Sequence, residues 1–135
     1  MKLKDYFKKG KFYIWKEKFA IVKSKKPLTD AFAVIKDKNE ITVVIDQSKI
    51  KGKRTPSKNI IKIDEDWRLL TFDFVLPFNL VGFIAKISKV LADADISIFV
   101  TSAFSTDHIL VKNKNLKKTI NKLKSLGFKI NATHL

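Results

Sequence analysis

Leu76 to Lys112 reads LPFNLVGFIAKISKVLADADISIFVTSAFSTDHILVK, and its order of polar and apolar groups decides the fold. Leu80, Phe83, Ile84, Ile87, Val90, Leu91 and Ala94 recur at helical spacing on one stripe, with Lys86 and Lys89 off it. The spacing predicts a helix that begins at Asn79, a good N-cap because its side chain can accept from first-turn amides, and ends near Asp93 or Asp95. Ile96 to Phe104 and His108 to Lys112 read as strands, joined by the polar corner Ser105-Thr106-Asp107.

Outward from this stretch, Leu69 to Leu76 alternates with the strand period. Leu70, Phe72, Phe74 and Leu76 fall on a core face, and Leu69, Thr71, Asp73 and Val75 on a mixed one. After Lys112, Leu116, Ile120, Leu123 and Leu126 form the inner stripe of a last helix, capped by Asn115 and closed by Gly127. Its lysines, at 117, 118, 122 and 124, face outward, and Phe128 to Ala132 reads as a closing strand. The order is β-α-β-β-α-β, a ferredoxin-like arrangement of the α+β class.

The first half is less regular. Met1 to Gly10 is a Lys-rich start with Tyr6 and Phe7 as anchors, followed by two short strands at Lys11 to Lys16 and Phe19 to Lys23. Pro27 marks a turn, and Ala31 to Lys36 and Glu40 to Asp46 flank Asp37-Lys38-Asn39 as a hairpin. Gln47 to Asn59, with the basic run KIKGKRTPSK, reads as a connecting loop or a polyanion site. Ile60 to Ile63 is a short return, and Asp64-Glu65-Asp66 punctuates the boundary. The reading divides the chain into 1–66, a reduced unit of strands, and 67–135, the complete βαββαβ unit.

Composition narrows the function classes. The chain has 135 residues and no cysteine, which excludes disulfides, thiolate metal sites and thiol nucleophiles and fits a reducing, cytoplasmic setting. No apolar run reaches membrane-spanning length, and the N-terminus has no apolar signal core. Two histidines, His108 and His134, lie far apart without a ligand cluster, so no metal or cofactor is expected. No nucleophile–base pattern and no phosphate-cradling glycine loop are present, and the expectation is a protein that is not an enzyme. The net charge of +15 leaves a polyanion partner open. Only Arg54 and Arg68 supply the planar fork that specific nucleic-acid readers favour, and basic residues occur along the whole chain.

Residues 76–112 resemble the ACT domain, a βαββαβ module that binds amino acids in regulatory proteins. Asn79-Leu80-Val81-Gly82-Phe83-Ile84-Ala85 stands where the family carries Asp, a residue, then Pro-Gly before an apolar helix. Asn replaces Asp and Val81 replaces Pro, while Gly82 is kept. ISIFVTSAFSTDHILVK is similar to a subfamily of short tandem-ACT proteins related to animal arginine sensors, with Ala103 in place of its usual Thr. Asn39-Glu40-Ile41-Thr42-Val43-Val44 is similar to that subfamily's first-half hairpin. The resemblance implies a degenerate ACT-like first half, an ACT-like second half, and an amino acid or similar small ligand bound at the seam between two such units. ACT units commonly bury an open sheet face against another unit, which implies pairing within the chain or a homodimer.

The candidate ligand residues are Asn79, Val81, Gly82 and Phe83 at the helix start, and Ser102, Ala103, Thr106 and Asp107 at the corner. Gly82 lets a ligand approach the backbone, or lets the helix pack near the sheet. Free amides at a helix start suit a carboxylate. Asp107 suits a ligand ammonium or guanidinium, or local turn hydrogen bonding. Thr106 and Ser102 add hydroxyls, and Asp73 is a further candidate for the same pocket or for an interface. The rival reading is an RNA-binding module, since the RNA-recognition motif shares this topology. That motif needs exposed aromatics on its inner strands, and His108 to Lys112 has none.

Overall fold

The computed structural model describes residues 2–50 and 57–131. Most of the basic loop, at 51–56, lies outside the described residues, as do Ala132 and His134. The chain forms two compact units, 1–16 with 68–135 and 17–67. Residues 1–16, grouped with the first half in the sequence reading, thus pack with the second-half unit.

In the larger unit, Leu3–Lys9 forms a short helix, α1, where the sequence reading placed only a Lys-rich start anchored by Tyr6 and Phe7. Asp5 holds its first turn by accepting from the Lys2 N–H at 2.9 Å, and Phe7 is buried. Lys11–Ser24 is one strand, β1, rather than two. Lys16, Glu17 and Lys18 alternate between exposed and half-buried positions and contain no breaker, so the extended backbone runs through them.

The second long strand, β4, spans Ile60–Phe72. It takes that number after β2, Ala33–Lys36, and β3, Ile41–Asp46. The helix α2 follows at Phe83–Asp93, then the hairpin of β5, Ile98–Ser102, and β6, Asp107–Lys112. The helix α3 spans Leu116–Ser125, and β7 spans only Lys129–Ile130. The βαββαβ order is therefore present in β4-α2-β5-β6-α3-β7. Its strands do not sit as a plain ferredoxin-like sheet, because the first residues of β1 lie between β4 and β7. β1 pairs in parallel with β7 on one side and neighbours β4 on the other.

One face of this sheet carries the core. Phe12 and Ile14 of β1, Leu70 and Phe72 of β4, and Ile109 and Val111 of β6 meet Phe83, Ile87 and Leu91 of α2 and Leu123 of α3. The i, i+4, i+8 spacing on α2 is the stripe read from sequence. Phe7, Phe72, Phe74, Phe83 and Phe128 contact one another at ring-centroid distances from 5.2 to 6.2 Å, in mixed edge-on, tilted and stacked arrangements. Gly127 at φ 112 ends α3, and the Phe128 N–H returns to the Leu123 carbonyl, so the chain turns back into β7.

In the smaller unit, β2, β3 and β1 lie side by side, with Val43 opposite both Val34 and Val22. Ala20, Val22, Leu28, Val43 and Ile45 form its core. The expected hairpin turn is present: the Asp37 carboxylate accepts from the Asn39 and Glu40 N–H groups at 2.8 and 2.7 Å. Asp64-Glu65-Asp66 does not end the strand as expected. Asp66 takes a left-handed φ of 65 while the Gln47 amide grips both its N–H and its carboxylate, and β4 continues.

Candidate functional site

Two loops of the larger unit make the site. The first leaves β4 and reaches α2. Its Leu80 N–H donates to the Pro77 carbonyl at 3.0 Å, closing a turn that contains Phe78 and Asn79. The second joins β5 to β6 and is closed by the Ala103 N–H on the Thr106 carbonyl at 2.8 Å. The Leu76 N–H donates to the Ser105 carbonyl at 2.8 Å and ties the two loops together.

Between them lies an open cleft of roughly 530 Å³, part of it continuous with solvent. Leu76, Pro77, Phe78, Leu80, Phe83 and Phe104 form its apolar walls. Ser102, Ala103, Ser105, Thr106 and Asp107 complete it. Asp107 is the one charged side chain among these lining residues, in a chain of net charge +15. A cation entering the cleft therefore meets a carboxylate with no lysine or arginine among the described lining residues.

The sequence reading placed eight residues here, and the cleft brings five together: Phe83, Ser102, Ala103, Thr106 and Asp107. Asn79, Val81 and Gly82 do not line it. Asn79 is not the N-cap of α2. That position is Gly82, whose φ of 92 is left-handed and which offers no capping side chain. Val81 points to solvent at 83% exposure. Phe83 has a double role, since it lines the cleft yet is only 4% exposed and belongs to the core. Asp73 lies outside the lining residues, where its carboxylate accepts from the Asn131 amide at 3.0 Å.

Sequence reasoning missed Phe78 and Phe104. They come from different loops, and their rings meet edge-on at 4.8 Å while remaining 78% and 81% exposed. Exposed phenylalanines on two loops were the available signal. It also missed the surroundings of Asp107. The Ser102 hydroxyl donates to that carboxylate at 2.5 Å across the first rung of the hairpin. On the adjacent residue, the His108 ring lies between Thr71 and Thr106, 2.8 Å from one hydroxyl and 3.3 Å from the other. Burial lowers the His108 pKa below its ordinary 6.5, outweighing the Asp107 carboxylate, which raises it.

A family model for the ACT domain matches residues 62–125. This segment belongs to the ACT-domain family. The ACT match contains α2, the β5–β6 hairpin, both loops of the cleft and all of α3. Solved structures extend the likeness of fold beyond the matched segment. A protein from Agobacterium tumefaciens is 23% identical, with a TM-score of 0.73 over 90% of this chain and 92% of its own. A Vibrio cholerae protein of unknown function is 17% identical, with a TM-score of 0.72 over 90% and 92%. The regulatory subunit of aspartate kinase from Thermus thermophilus, in its ligand-free form, is 8% identical, with a TM-score of 0.61 over 87% and 96%. At these identities the likeness carries the ACT-like α+β fold and nothing finer. No curated protein matches the sequence. Among the described residues, no helix is long and apolar enough to cross a membrane.

Proposed function

We propose that this protein is a non-catalytic regulatory module that binds an amino acid in the cleft between residues 76–83 and 102–107. The observation that carries the reading is the Asp107 carboxylate, held by the Ser102 hydroxyl, as the one charged side chain among the described lining residues of a cleft with an apolar side. A free amino acid with an apolar or aromatic side chain matches that pattern: its ammonium pairs with Asp107, and its side chain lies against Phe78, Leu80 and Phe104. The ACT family of the matched segment and the ACT-like aspartate kinase regulatory subunit support a regulatory role.

The test is calorimetry and thermal shift against the twenty amino acids, with size-exclusion chromatography to follow pairing into a homodimer. A ligand at 100 times its Kd stabilises the fold by about 2.7 kcal/mol, so a true ligand raises the melting temperature by several degrees. A flat panel on well-folded protein defeats the reading.

A further inference from the structure

We infer that helix α1 is a clasp that holds the β4–α2 loop in the shape of the cleft wall, so that docking of α1 and occupancy of the cleft favour each other. The ligand half of this inference rests on the amino-acid reading above, and the clasp half does not.

The loop, residues 73–82, supplies Leu76, Pro77, Phe78 and Leu80 to the cleft. Much of it has no packing of its own. Val75, Phe78 and Val81 are 69%, 78% and 83% exposed, so they bury little apolar surface to fix the backbone. Phe74, Leu76 and Leu80 turn inward.

Helix α1 grips this loop at both ends. The Tyr6 ring stacks on Phe74 at 6.0 Å, near the start of the loop. The Phe7 ring stacks at 5.7 Å on Phe83, the first residue of α2. The Leu3 Cδ2 atom lies 3.4 Å from where a Gly82 Cβ would stand. Leu3, Tyr6 and Phe7 follow the i, i+3, i+4 spacing of one helical stripe, and Lys2, Lys4, Lys8 and Lys9 are exposed. Seven residues are too few to hold a helix in water, so α1 is helical only while this stripe is docked.

Gly10 shows how closely the helix is fitted. A Cβ there would overlap the Tyr6 carbonyl and stand 2.8 and 2.7 Å from the Phe74 and Phe128 rings. Only a hydrogen fits at that position while Tyr6 lies on Phe74. Leu3, Tyr6 and Phe7 do not line the cleft, so they reach a ligand only through the loop and Phe83. The coupling is then reciprocal: a ligand that needs the formed wall stabilises the docked helix by the factor by which docking favours the ligand.

Two measurements test this. Amide exchange followed by NMR at rising urea tests the clasp without a ligand. The Phe7 to Lys9 amides and the Leu76 and Leu80 amides should open together, at a lower free energy than Ile109 to Val111 of β6. Tyr6→Ala should speed both groups by about ten-fold, and Tyr6→Phe should keep the wild-type rates. Leu76 and Leu80 amides that open only with β6, or that keep wild-type rates in Tyr6→Ala, overturn the clasp.

The second measurement adds phenylalanine, or whichever of the twenty amino acids binds most tightly. At 100 times its Kd it should slow exchange of the Phe7 to Lys9 amides by about a hundred-fold, although these residues lie outside the cleft lining. Gly10→Ala, which crowds α1 off Phe74, should leave those amides unprotected and weaken the same amino acid by about ten-fold or more. Unchanged α1 exchange at saturation, or wild-type affinity in a Gly10→Ala protein whose α1 is unprotected, overturns the coupling. If no amino acid binds the wild type while α1 and the loop open together, the amino-acid reading and the coupling fall together and the clasp stands.

Discussion

Ser102 and Asp107 face each other across the first rung of the β5–β6 hairpin, and the Ser102 hydroxyl donates to the Asp107 carboxylate at 2.5 Å. A charge-assisted bond of this kind is stronger than a neutral one and fixes the orientation of the carboxylate. Asp107 is half-buried, so the arrangement holds a charge at the cleft without removing it from water.

Asp107→Asn keeps the shape and removes the charge. The expected outcome is a loss of amino-acid affinity of about ten- to a hundred-fold, the range of truncated charged hydrogen bonds. The melting temperature of the ligand-free protein should change little, because the position is half-exposed. Ser102→Ala should cost less, since the charge remains and only its orientation loosens. Isothermal titration on the three proteins checks the order. Equal affinities would remove Asp107 from the site.

Phe78 and Phe104 separate affinity from stability. Their exposed rings contact each other at 4.8 Å, and an aromatic pair of this kind contributes about 0.5–1.5 kcal/mol. Phe78→Ala or Phe104→Ala should therefore destabilise by at most about 1.5 kcal/mol while weakening a ligand with an apolar side chain. Phe83→Ala removes a ring from both cleft and core and should destabilise by about 3–5 kcal/mol. Urea denaturation beside titration distinguishes the two classes. A Phe78→Ala protein as unstable as Phe83→Ala would show that the exposed ring supports the fold.

The parts of this picture that were legible in sequence are those governed by local spacing. Phe83, Ile87 and Leu91 recur every four residues, so the helix and its buried stripe could be read directly. The Asp37 turn and the Ser105-Thr106-Asp107 corner are short hairpin connections marked by runs of polar residues, so both could be read locally, although the Ser102–Asp107 bond could not. The start of α2 was displaced because Asn79 is the better capping side chain, while the chain forms a separate turn at Pro77–Leu80 and enters the helix through left-handed Gly82. Helix α1 has only seven residues, too few for periodicity to register. The hydrogen bonds that join Trp15, Thr71 and His108 were hidden for a different reason. Thr71 is 37 residues from His108 and 56 from Trp15, and their meeting depends on the placement of β1 beside β4 and β4 beside β6.

Gly82 is a position where the backbone itself makes a prediction. Its φ of 92 belongs to a region in which an L side chain is strained by roughly 1–2 kcal/mol. A Cβ there would meet the Leu3 side chain at 3.4 Å, an ordinary contact, so crowding adds little. Gly82→Ala should destabilise by about 1 kcal/mol through conformation alone, measurable as a lower urea midpoint with an unchanged slope. A neutral substitution would mean that the entry to α2 relaxes to a conformation other than the one seen here.

The buried ring of His108 predicts how stability responds to acid. Its folded pKa lies below the ordinary 6.5, because burial penalises the imidazolium more than the Asp107 carboxylate favours it. Between the two values the unfolded chain binds the proton and the folded chain does not, so unfolding takes up protons and stability rises with pH across that window. The contribution of the neutral ring is fully present above about 6.5 and is lost as the pH falls below it. Protonation would also place a second donor against Thr71 Oγ1, which already accepts from Trp15. Urea unfolding at pH 7.5, 6.5 and 5.5 should show wild type losing more stability between the last two points than His108→Asn, which stays neutral throughout. Parallel pH profiles for the two proteins would show that the ring is protonated as readily in the fold as in the unfolded chain.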